Sequence, residues 1–530
     1  MTERIGLDFG TANTVVARWD PAAGAAVPLG LGAVERVREA GGVLQRVVPS
    51  LIAYDGGSGR RLIGEQARER DAEGDPFVFR GTKSCLAGHV VDVPRQIGEQ
   101  RITARRAATD YLADLMALAR LSASSEELEI VATAPVESFD PYRDWLVREV
   151  GGALPGTRLR VVDEATAAAA GYGARLAPGA LFCVVDFGAG TLDVSVVRVE
   201  EPSSRGSGVR AVAKAGADLG GTHLDALLAR YVLERHERAR GPVEPAARNR
   251  LLRRLLPAAE DAKIALTGRQ EAVVEDEATG LRQVLDRPAF AALLREHDVL
   301  GRFGRVLRRA LDQAAGLGCR TDDVEQVLLV GGSCLIPAVQ DVAALSFRPG
   351  VLRVERPLEA VAAGAAAIAG GHELHDHIQH DYALRHLDTD RGAYAFETIV
   401  PSGTPYPSEG PVSALTVTAI RDGQDRLGLS VHELTHATGR DADAALEIVY
   451  DSRGGARVLP VTEQARGERA TLWLNEDSPT FLTAEPPARA GEDCFRVEFH
   501  VDGAKRLTVH AYDLRRHRWA LRGLPVVQLS

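Results

Sequence analysis

Lysine is almost missing from this chain. Its 530 residues hold four, Lys83, Lys214, Lys263 and Lys505, among 63 lysines and arginines combined. Arginine does nearly all the cationic work, so each lysine raises the question of what a planar guanidinium could not do there. Cysteine is scarce too. Cys85, Cys183, Cys319, Cys334 and Cys494 are widely and unevenly spaced, which excludes a disulfide framework or a zinc knuckle. They read as buried thiols of a reducing compartment, and a cytoplasmic location is expected. No uninterrupted apolar run reaches the roughly 20 residues a membrane-spanning helix needs. The start, Met1-Thr2-Glu3-Arg4, enters an apolar strand directly, without the pattern of a secretory signal. A net charge of −10 argues against nucleic acid or an anionic membrane as the main partner.

What is present is an ordinary globular composition, 45% hydrophobic and 26% charged, in a chain too long for one core. It also carries an internal repeat. Ile5-Gly6-Leu7-Asp8-Phe9-Gly10-Thr11-Ala12-Asn13-Thr14-Val15-Val16 is an apolar run, a turn and a second apolar run. Val184-Val185-Asp186-Phe187-Gly188-Ala189-Gly190-Thr191-Leu192-Asp193-Val194-Ser195-Val196-Val197 follows the same plan. Each reads as a β-hairpin with an Asp closing its first strand and a glycine in its turn. The copies lie about one domain length apart, which points to a duplicated two-lobe body.

A third segment, Val327-Leu328-Leu329-Val330-Gly331-Gly332-Ser333, reads as a buried strand entering a Gly-Gly turn. Ser333 is a candidate helix cap, and Pro337 falls near the first helical turn. The body closes with the small-residue helix around 359–366. From about Gly371 the texture changes: His372, His375, His377, His380 and His386 sit in a polar stretch taken as a linker over 371–386. Beyond it, alternating segments such as 414–420 and 495–501, separated by Pro- and Gly-bearing turns, predict an antiparallel β-sandwich over 387–530.

These residues suit phosphate chemistry. Phosphoryl transfer needs positioning and charge neutralisation more than covalent help. Backbone N–H groups in glycine turns approach phosphate oxygens closely because no Cβ intervenes. The turns at Gly10-Thr11 and Gly188-Ala189-Gly190-Thr191 are two such cradles, able to grip a polyphosphate from both sides of a cleft. Asp8 and Asp186 would then point at one spot and hold a hydrated Mg2+, an ion that takes few carboxylates and keeps several waters. The bland alternative is that each Asp merely caps its own turn; a matched pair favours the site.

Together these residues resemble the DnaK-type heat-shock chaperone family of the actin-like ATPase superfamily. The likeness runs in order through about the first 370 residues and more loosely through the β-region. Asp8-Phe9-Gly10-Thr11, with Ala12 after it, resembles the first phosphate motif. Asp186-Phe187-Gly188-Ala189-Gly190-Thr191-Leu192-Asp193 resembles the second. Asp163-Glu164-Ala165-Thr166 resembles the connecting helix, Asp218-Leu219-Gly220-Gly221 with Asp225 a further signature, and Gly331-Gly332-Ser333 the adenosine motif.

The resemblance implies an α/β fold: an actin-like, two-lobed, duplicated ribonuclease-H-like ATPase domain over 1–370, followed by the β-sandwich. It implies ATP/ADP and Mg2+ as cofactors, and a chaperone activity in protein folding and the stress response. Lys83 would set its charge on the γ-phosphate, while Glu164 and Thr191 orient the attacking water. Glu260 and Lys263 would bond the ribose, with Pro135 and Arg143 at the interdomain hinge. Implied partners are an unfolded peptide or dedicated protein client, a J-domain co-chaperone and a nucleotide-exchange factor.

The chain also departs from the family. Two arginines that sandwich the adenine are replaced by Ile264 and Leu335, which removes a stacked guanidinium contribution. Ala12 and Asn13 stand in place of hydroxylated and aromatic residues, and Ala189 replaces a glycine. The family's apolar linker gives way to the histidine-rich stretch, and no helical lid is expected after the final β-run. A nucleotide-sensing scaffold with little turnover, or a kinase of the same fold, are the alternatives that keep the same phosphate motifs.

His432-Glu433-Leu434-Thr435-His436 fits the zinc-protease pattern H-E-x-x-H, which requires both histidines on one helix face. Its surroundings predict a strand, which would place the two Cα atoms about 13 Å apart. The arginine-rich run Arg250-Leu251-Leu252-Arg253-Arg254-Leu255-Leu256 reads as an amphipathic helix of the body, not a nucleic-acid stripe.

Overall fold

The computed structural model describes residues 2–40, 42–56, 59–86, 92–123, 125, 127–135, 140–172, 178–199, 209–371, 378, 380–388, 393–404, 406–434, 446–450, 455–460, 471–476, 479–502 and 505–529. They fall into two compact units. The larger comprises Met1–Pro135, Tyr142–Leu374 and Ala437–Arg466, and the smaller Val136–Pro141, His375–His436 and Gly467–Ser530.

The larger unit holds two sheets laid out alike. In the first, the strand Glu3–Phe9 pairs antiparallel with Asn13–Asp20 on one side and parallel with Leu128–Ala134 on the other. Arg158–Asp163 extends the parallel edge; Val43–Pro49 and Arg36–Ala40 extend the antiparallel one. In the second, Leu181–Phe187 pairs antiparallel with Leu192–Val199 and parallel with Val324–Val330. Val209–Ala217 and Leu352–Arg353 form its edges. Both sequence-predicted hairpins are therefore present, with Asp8 opposite Val15 and Asp186 opposite Asp193.

Each sheet has its own apolar cluster. Phe9, packed against Tyr111 and Trp145, anchors the first, and Phe187 against Phe303 the second. Strand residues covered on both faces explain the near-continuous apolar runs. The helix Ala360–Ala369, seven of whose ten residues are alanine, lies on the strand Glu3–Phe9 and against the helix Glu164–Gly171. Its approach is possible only without side chains. A Cβ on Gly364 would stand 1.7 Å from the Ala167 carbonyl oxygen, and one on Gly171 would stand 1.8 Å from that of Ala360.

Beyond Asp140 and Pro141, which open the helix Asp140–Ala153, the regular elements of the smaller unit are strands among its described residues. Ala393–Val400, Asp381–Asp388, Val431–Leu434 and Thr471–Trp473 form one antiparallel sheet. Ser413–Thr418, Asp493–Val501, Arg506–Asp513 and Arg518–Gln528 form another, and Gln424–Leu429 pairs with Thr480–Ala488. One apolar cluster, including Tyr382, Val431, Phe495, Phe499 and Val509, is shared by these elements.

Two boundaries differ from the sequence reading. The strand Asp381–Asp388 takes in the last part of the stretch read as linker, and His380 is buried beside Glu433, Nδ1 to Oε1 3.4 Å. His372, His375 and His377 lie outside the described residues. The second difference is the hairpin Leu446–Tyr450 with Ala456–Pro460, which is numbered within the β-region yet belongs to the larger unit. Hydrophobic burial decides it: Ala456 is fully buried in the cluster of the second sheet.

The H-E-x-x-H segment is strand where it is described, Val431–Leu434, and His436 lies outside the described residues. His432 stacks on Trp473 at 5.7 Å, and its Nε2 lies 3.0 Å from Ser430 Oγ. No helix among the described residues is long and apolar enough to cross a membrane.

Candidate functional site

The two predicted turns meet. A Cβ on Gly190 would stand 2.8 Å from Thr11 Oγ1 and 3.7 Å from Ser84 Oγ, so the turn of the second sheet lies directly against that of the first. Each turn is braced from behind. Ser50 donates its N–H to the Ala12 carbonyl at 2.8 Å and its hydroxyl to Gly10 O at 2.8 Å. On the other side, the Gly188 carbonyl accepts from Gly221 N at 2.9 Å and Ser333 Oγ at 2.9 Å, and the Ala189 carbonyl from Thr222 N at 2.8 Å.

The three glycine motifs thus converge. Gly221 has Lys263 Nζ, Ser333 Oγ and Ala189 Cα around the place a side chain would occupy, at 2.9, 3.0 and 3.5 Å. Gly331 takes φ +80°, and its missing Cβ leaves room for Phe187 O. Gly220 abuts the Ala189 carbonyl in the same way. Ser333 does not cap a helix as the sequence suggested. The helix Pro337–Ala344 starts after Ile336 without a side-chain cap, and Ser333, 4% exposed, is spent on holding the turn at Gly188.

Four ionisable groups gather beside the turns. Glu164 stands in the first turn of its helix, where an acid is favourable. Asp163 caps that helix by accepting from Thr166 N at 2.6 Å. Glu164 Oε1 accepts from Lys83 Nζ at 3.0 Å. Lys83 sits on the short helix Thr82–Leu86, entered through Gly81 at φ +67°, and is 7% exposed. Asp8 accepts from Thr133 Oγ1 at 3.1 Å.

Burial, with Glu164 close by, pushes Asp8 up to about 7 against the opposing pull of Lys83. Burial pushes Asp186 well up too, with Glu164, Asp193 and Asp8 adding to it. Glu164 and Lys83 act on both aspartates, and Asp8 acts on Asp186, as befits carboxylates gathered in one desolvated space. Burial alone would lower Lys83, but the surrounding carboxylates, Glu164 foremost, raise it above the ordinary value. Such a set, richer in carboxylate than in ammonium, fits a hard divalent cation. Thr191 Oγ1 donates to Asp193 at 2.7 Å at the edge of this group.

The ribose candidates stand on the helix Pro245–Gly268. Lys263 pairs with Asp225 at 2.8 Å and donates to Gly221 O at 3.1 Å. Glu260 is engaged by Arg80 at 2.7 Å, and Arg80 also binds Asp71 at 2.7 Å. Sequence reasoning did not single out Arg80, Asp71 or Arg253; in an arginine-rich chain, nothing distinguishes a buried guanidinium from a solvated one. Ile264 and Leu335 are both half-buried, Leu335 closing the short turn Gly332–Leu335. Pro135 ends the strand Leu128–Ala134, and Arg143, 7% exposed, lies on the helix Asp140–Ala153.

Comparison with known proteins places the chain in a family. A family model described as Hsp70 protein matches residues 151–389. The chain is 30% identical to a Chaperone protein HscA homolog of Burkholderia pseudomallei over 514 residues, 89% of this chain and 74% of that protein. It is 28% identical to Chaperone protein DnaK of Thermotoga petrophila over 447 residues, 81% of this chain and 70% of that one. It is also 28% identical to Chaperone protein dnaK3 of Synechococcus elongatus over 543 residues, 96% of this chain but 64% of that protein. The chain therefore spans rather less than two thirds of the length of the last. With paired glycine turns, a matched pair of aspartates and relatives aligned over both units, this chain belongs to the Hsp70 family.

Proposed function

We propose that the chain is a Mg2+-dependent ATPase that couples a nucleotide cycle to the binding of a polypeptide by its β-unit. The observation that carries this reading is the contact between Gly190 and Thr11, which sets two phosphate cradles face to face. The alike strand orders of the two sheets support the duplicated, two-lobed actin-like architecture.

In this reading Asp8 and Asp186 hold the hydrated ion, which supplies neutralising charge to the phosphate oxygens. Backbone N–H groups of Gly10, Thr11, Ala12, Gly188, Ala189 and Gly190 line the polyphosphate. Lys83 presents an ammonium to the γ-phosphate, where a compact point charge suits better than a fork. Glu164 holds that ammonium and, with Thr191, orients water. Lys263 and Glu260 face the ribose, Gly220 and Gly221 admit the nucleotide closely, and Gly331, Gly332 and Ser333 back the base between Ile264 and Leu335. Pro135 and Arg143 stand at the link that would pass the change onward. A peptide or dedicated client, a J-domain co-chaperone and an exchange factor are the partners this cycle requires, and a reducing cytoplasm suits its free thiols.

A second reading, a scaffold that binds nucleotide with little turnover, is favoured by the apolar pair Ile264 and Leu335. Phosphate release from ATP by the full chain separates the readings. Release that rises with unfolded peptide and is lost in Lys83→Ala supports the chaperone cycle. Binding without release supports the scaffold, and release only with a small hydroxyl acceptor supports a kinase.

A further inference from the structure

The hairpin Leu446–Pro460 interrupts the β-unit in sequence but is built into the ATPase body. Its strands, Leu446–Tyr450 and Ala456–Pro460, pair from Leu446 opposite Pro460 to Tyr450 opposite Ala456. Ile448, Tyr450, Ala456 and Val458 lie on the apolar cluster that holds Leu251, Leu252, Leu255 and Leu256 of the helix Pro245–Gly268. That helix also carries Glu260, Lys263 and Ile264.

Tyr450 does more than fill space. Its ring centroid is 4.7 Å from the Arg95 guanidinium carbon and 5.2 Å from that of Arg253. Arg95 belongs to the first-sheet side, where its guanidinium also lies 4.1 Å from the Phe79 ring centroid; Arg253 comes from the helix Pro245–Gly268. Two like charges are thus held side by side in a buried place, Arg95 4% and Arg253 3% exposed. Arg95 Nε, and Arg253 Nε and Nη1, find no hydrogen-bond acceptor among the described residues. The electron-rich ring face adds to the bonds that Arg253 makes with Asp71 and Arg95 with the Pro76 and Val78 carbonyls.

From Arg253 a buried relay runs to the site. Arg253 Nη2 bonds Asp71 Oδ1 at 2.9 Å, and also Asp75 O at 2.7 Å. Asp71 Oδ2 takes Arg80 Nη1 at 2.7 Å, and Arg80 Nη2 takes Glu260 Oε2 at 2.7 Å. These bonds tie the helix Pro245–Gly268 to the segment 71–80 of the first-sheet side, the segment that leads into Lys83. The ring that steadies their outer end is supplied by the C-terminal part of the chain. In sequence the hairpin falls between Val431–Leu434 and Thr471–Trp473, strands assigned to the smaller unit.

We propose that the hairpin Leu446–Pro460 is a clasp on the nucleotide site, in which Tyr450 holds Arg95 and Arg253 together and so slows release of the bound nucleoside diphosphate. Tyr450 touches no reacting atom, so it is a positioning residue. The proposal rests on the nucleotide-binding reading above and extends it to regulation of that site.

Dissociation of N-methylanthraniloyl-ADP from the full chain, chased with unlabelled ADP in Mg2+, tests it. Tyr450→Ala is expected to release the probe on the order of tenfold faster, while Tyr450→Phe, which keeps the ring, matches wild type. Equal rates for wild type and Tyr450→Ala overturn the clasp, as does a Tyr450→Phe variant as fast as Tyr450→Ala. Hydrogen exchange in the unaltered protein provides a second test that does not depend on any variant folding. ADP is expected to slow exchange in 446–450 and 456–460 together with the helix Pro245–Gly268; hairpin exchange indifferent to bound ADP overturns the proposal. If wild type binds no probe at all, the nucleotide reading falls and takes the clasp with it, an outcome distinct from binding with unaltered release.

Discussion

Glu260 accepts a 2.7 Å hydrogen bond from Arg80, a residue 180 positions earlier in the chain. Arg80 reaches it from between the strand Val78–Phe79 and the helix Thr82–Leu86, while Glu260 projects from the helix Pro245–Gly268. Both side chains are mostly buried, 12% and 15% exposed, and Arg80 shares its second arm with Asp71 at 1%. Removing the guanidinium takes a donor from two buried carboxylates, of which Asp71 keeps its bond to Arg253. Arg80→Ala should cost about 3 kcal/mol of unfolding free energy, in the range for a broken buried pair. A double-mutant cycle with Glu260→Ala should return a coupling of about 1–3 kcal/mol. Urea unfolding measures both; additive effects would mean that the pair is not coupled.

The same contact gives Glu260 a pH signature. Burial alone would raise its carboxyl, but Arg80, then Lys263, Arg38 and Arg68, outweigh it and hold Glu260 down at about 2, below the ordinary 4.5. A carboxylate depressed in the folded state contributes its full stability above the unfolded value and loses it as pH falls towards the folded one. The stability gap between wild type and Glu260→Gln should therefore hold steady from pH 7 to about 5 and shrink between about 4.5 and 2. Urea midpoints at pH 6, 4.5 and 3 check this, and a gap that widens on acidification contradicts it.

Gly364 and Gly171 allow two helices to touch backbone to backbone. A methyl at Gly364 would meet the Ala167 carbonyl at 1.7 Å, so Gly364→Ala must push the helices Ala360–Ala369 and Glu164–Gly171 apart. The expected loss is roughly 1–3 kcal/mol, the usual cost of overpacking. Because Glu164 rides on the second of these helices, ATP turnover should fall along with thermal stability. A variant as stable and active as wild type would show that this crossing is not tight.

How much of this was legible in the sequence differs from motif to motif. The repeated Asp-Phe-Gly turns announced both central hairpins, because a strand–turn–strand pattern is local and needs no partner to be read. Val431–Leu434 was recognisable as strand for the same reason. Ser333 was not, since a serine before a helix looks like a cap, and only tertiary contact shows it bonded to Gly188 O. Arg253 was hidden in an alternating run that reads as a solvated face, although the folded chain buries it against Asp71. The hairpin Leu446–Pro460 was unreadable as part of the larger unit, because alternation reports a covered face without saying which core covers it.

Ile264 and Leu335 bear on selectivity for the base. Neither presents a guanidinium to stack on adenine, so the base should be held weakly and with little discrimination. Ile264→Arg is expected to tighten ATP binding about fivefold and to leave GTP binding less improved. Titration calorimetry with both nucleotides decides; equal ATP affinity with and without the arginine removes this account of the pocket.

Convergence of the two turns on one nucleotide is the claim on which the functional account stands, and a crystal structure of the full chain with ADP and Mg2+ tests it most directly. The diphosphate is expected between Gly10–Thr11 and Gly188–Gly190, with a hydrated ion bridged to Asp8 and Asp186 and the ribose against Lys263. Nucleotide bound elsewhere, or an ion held without either aspartate, would contradict it.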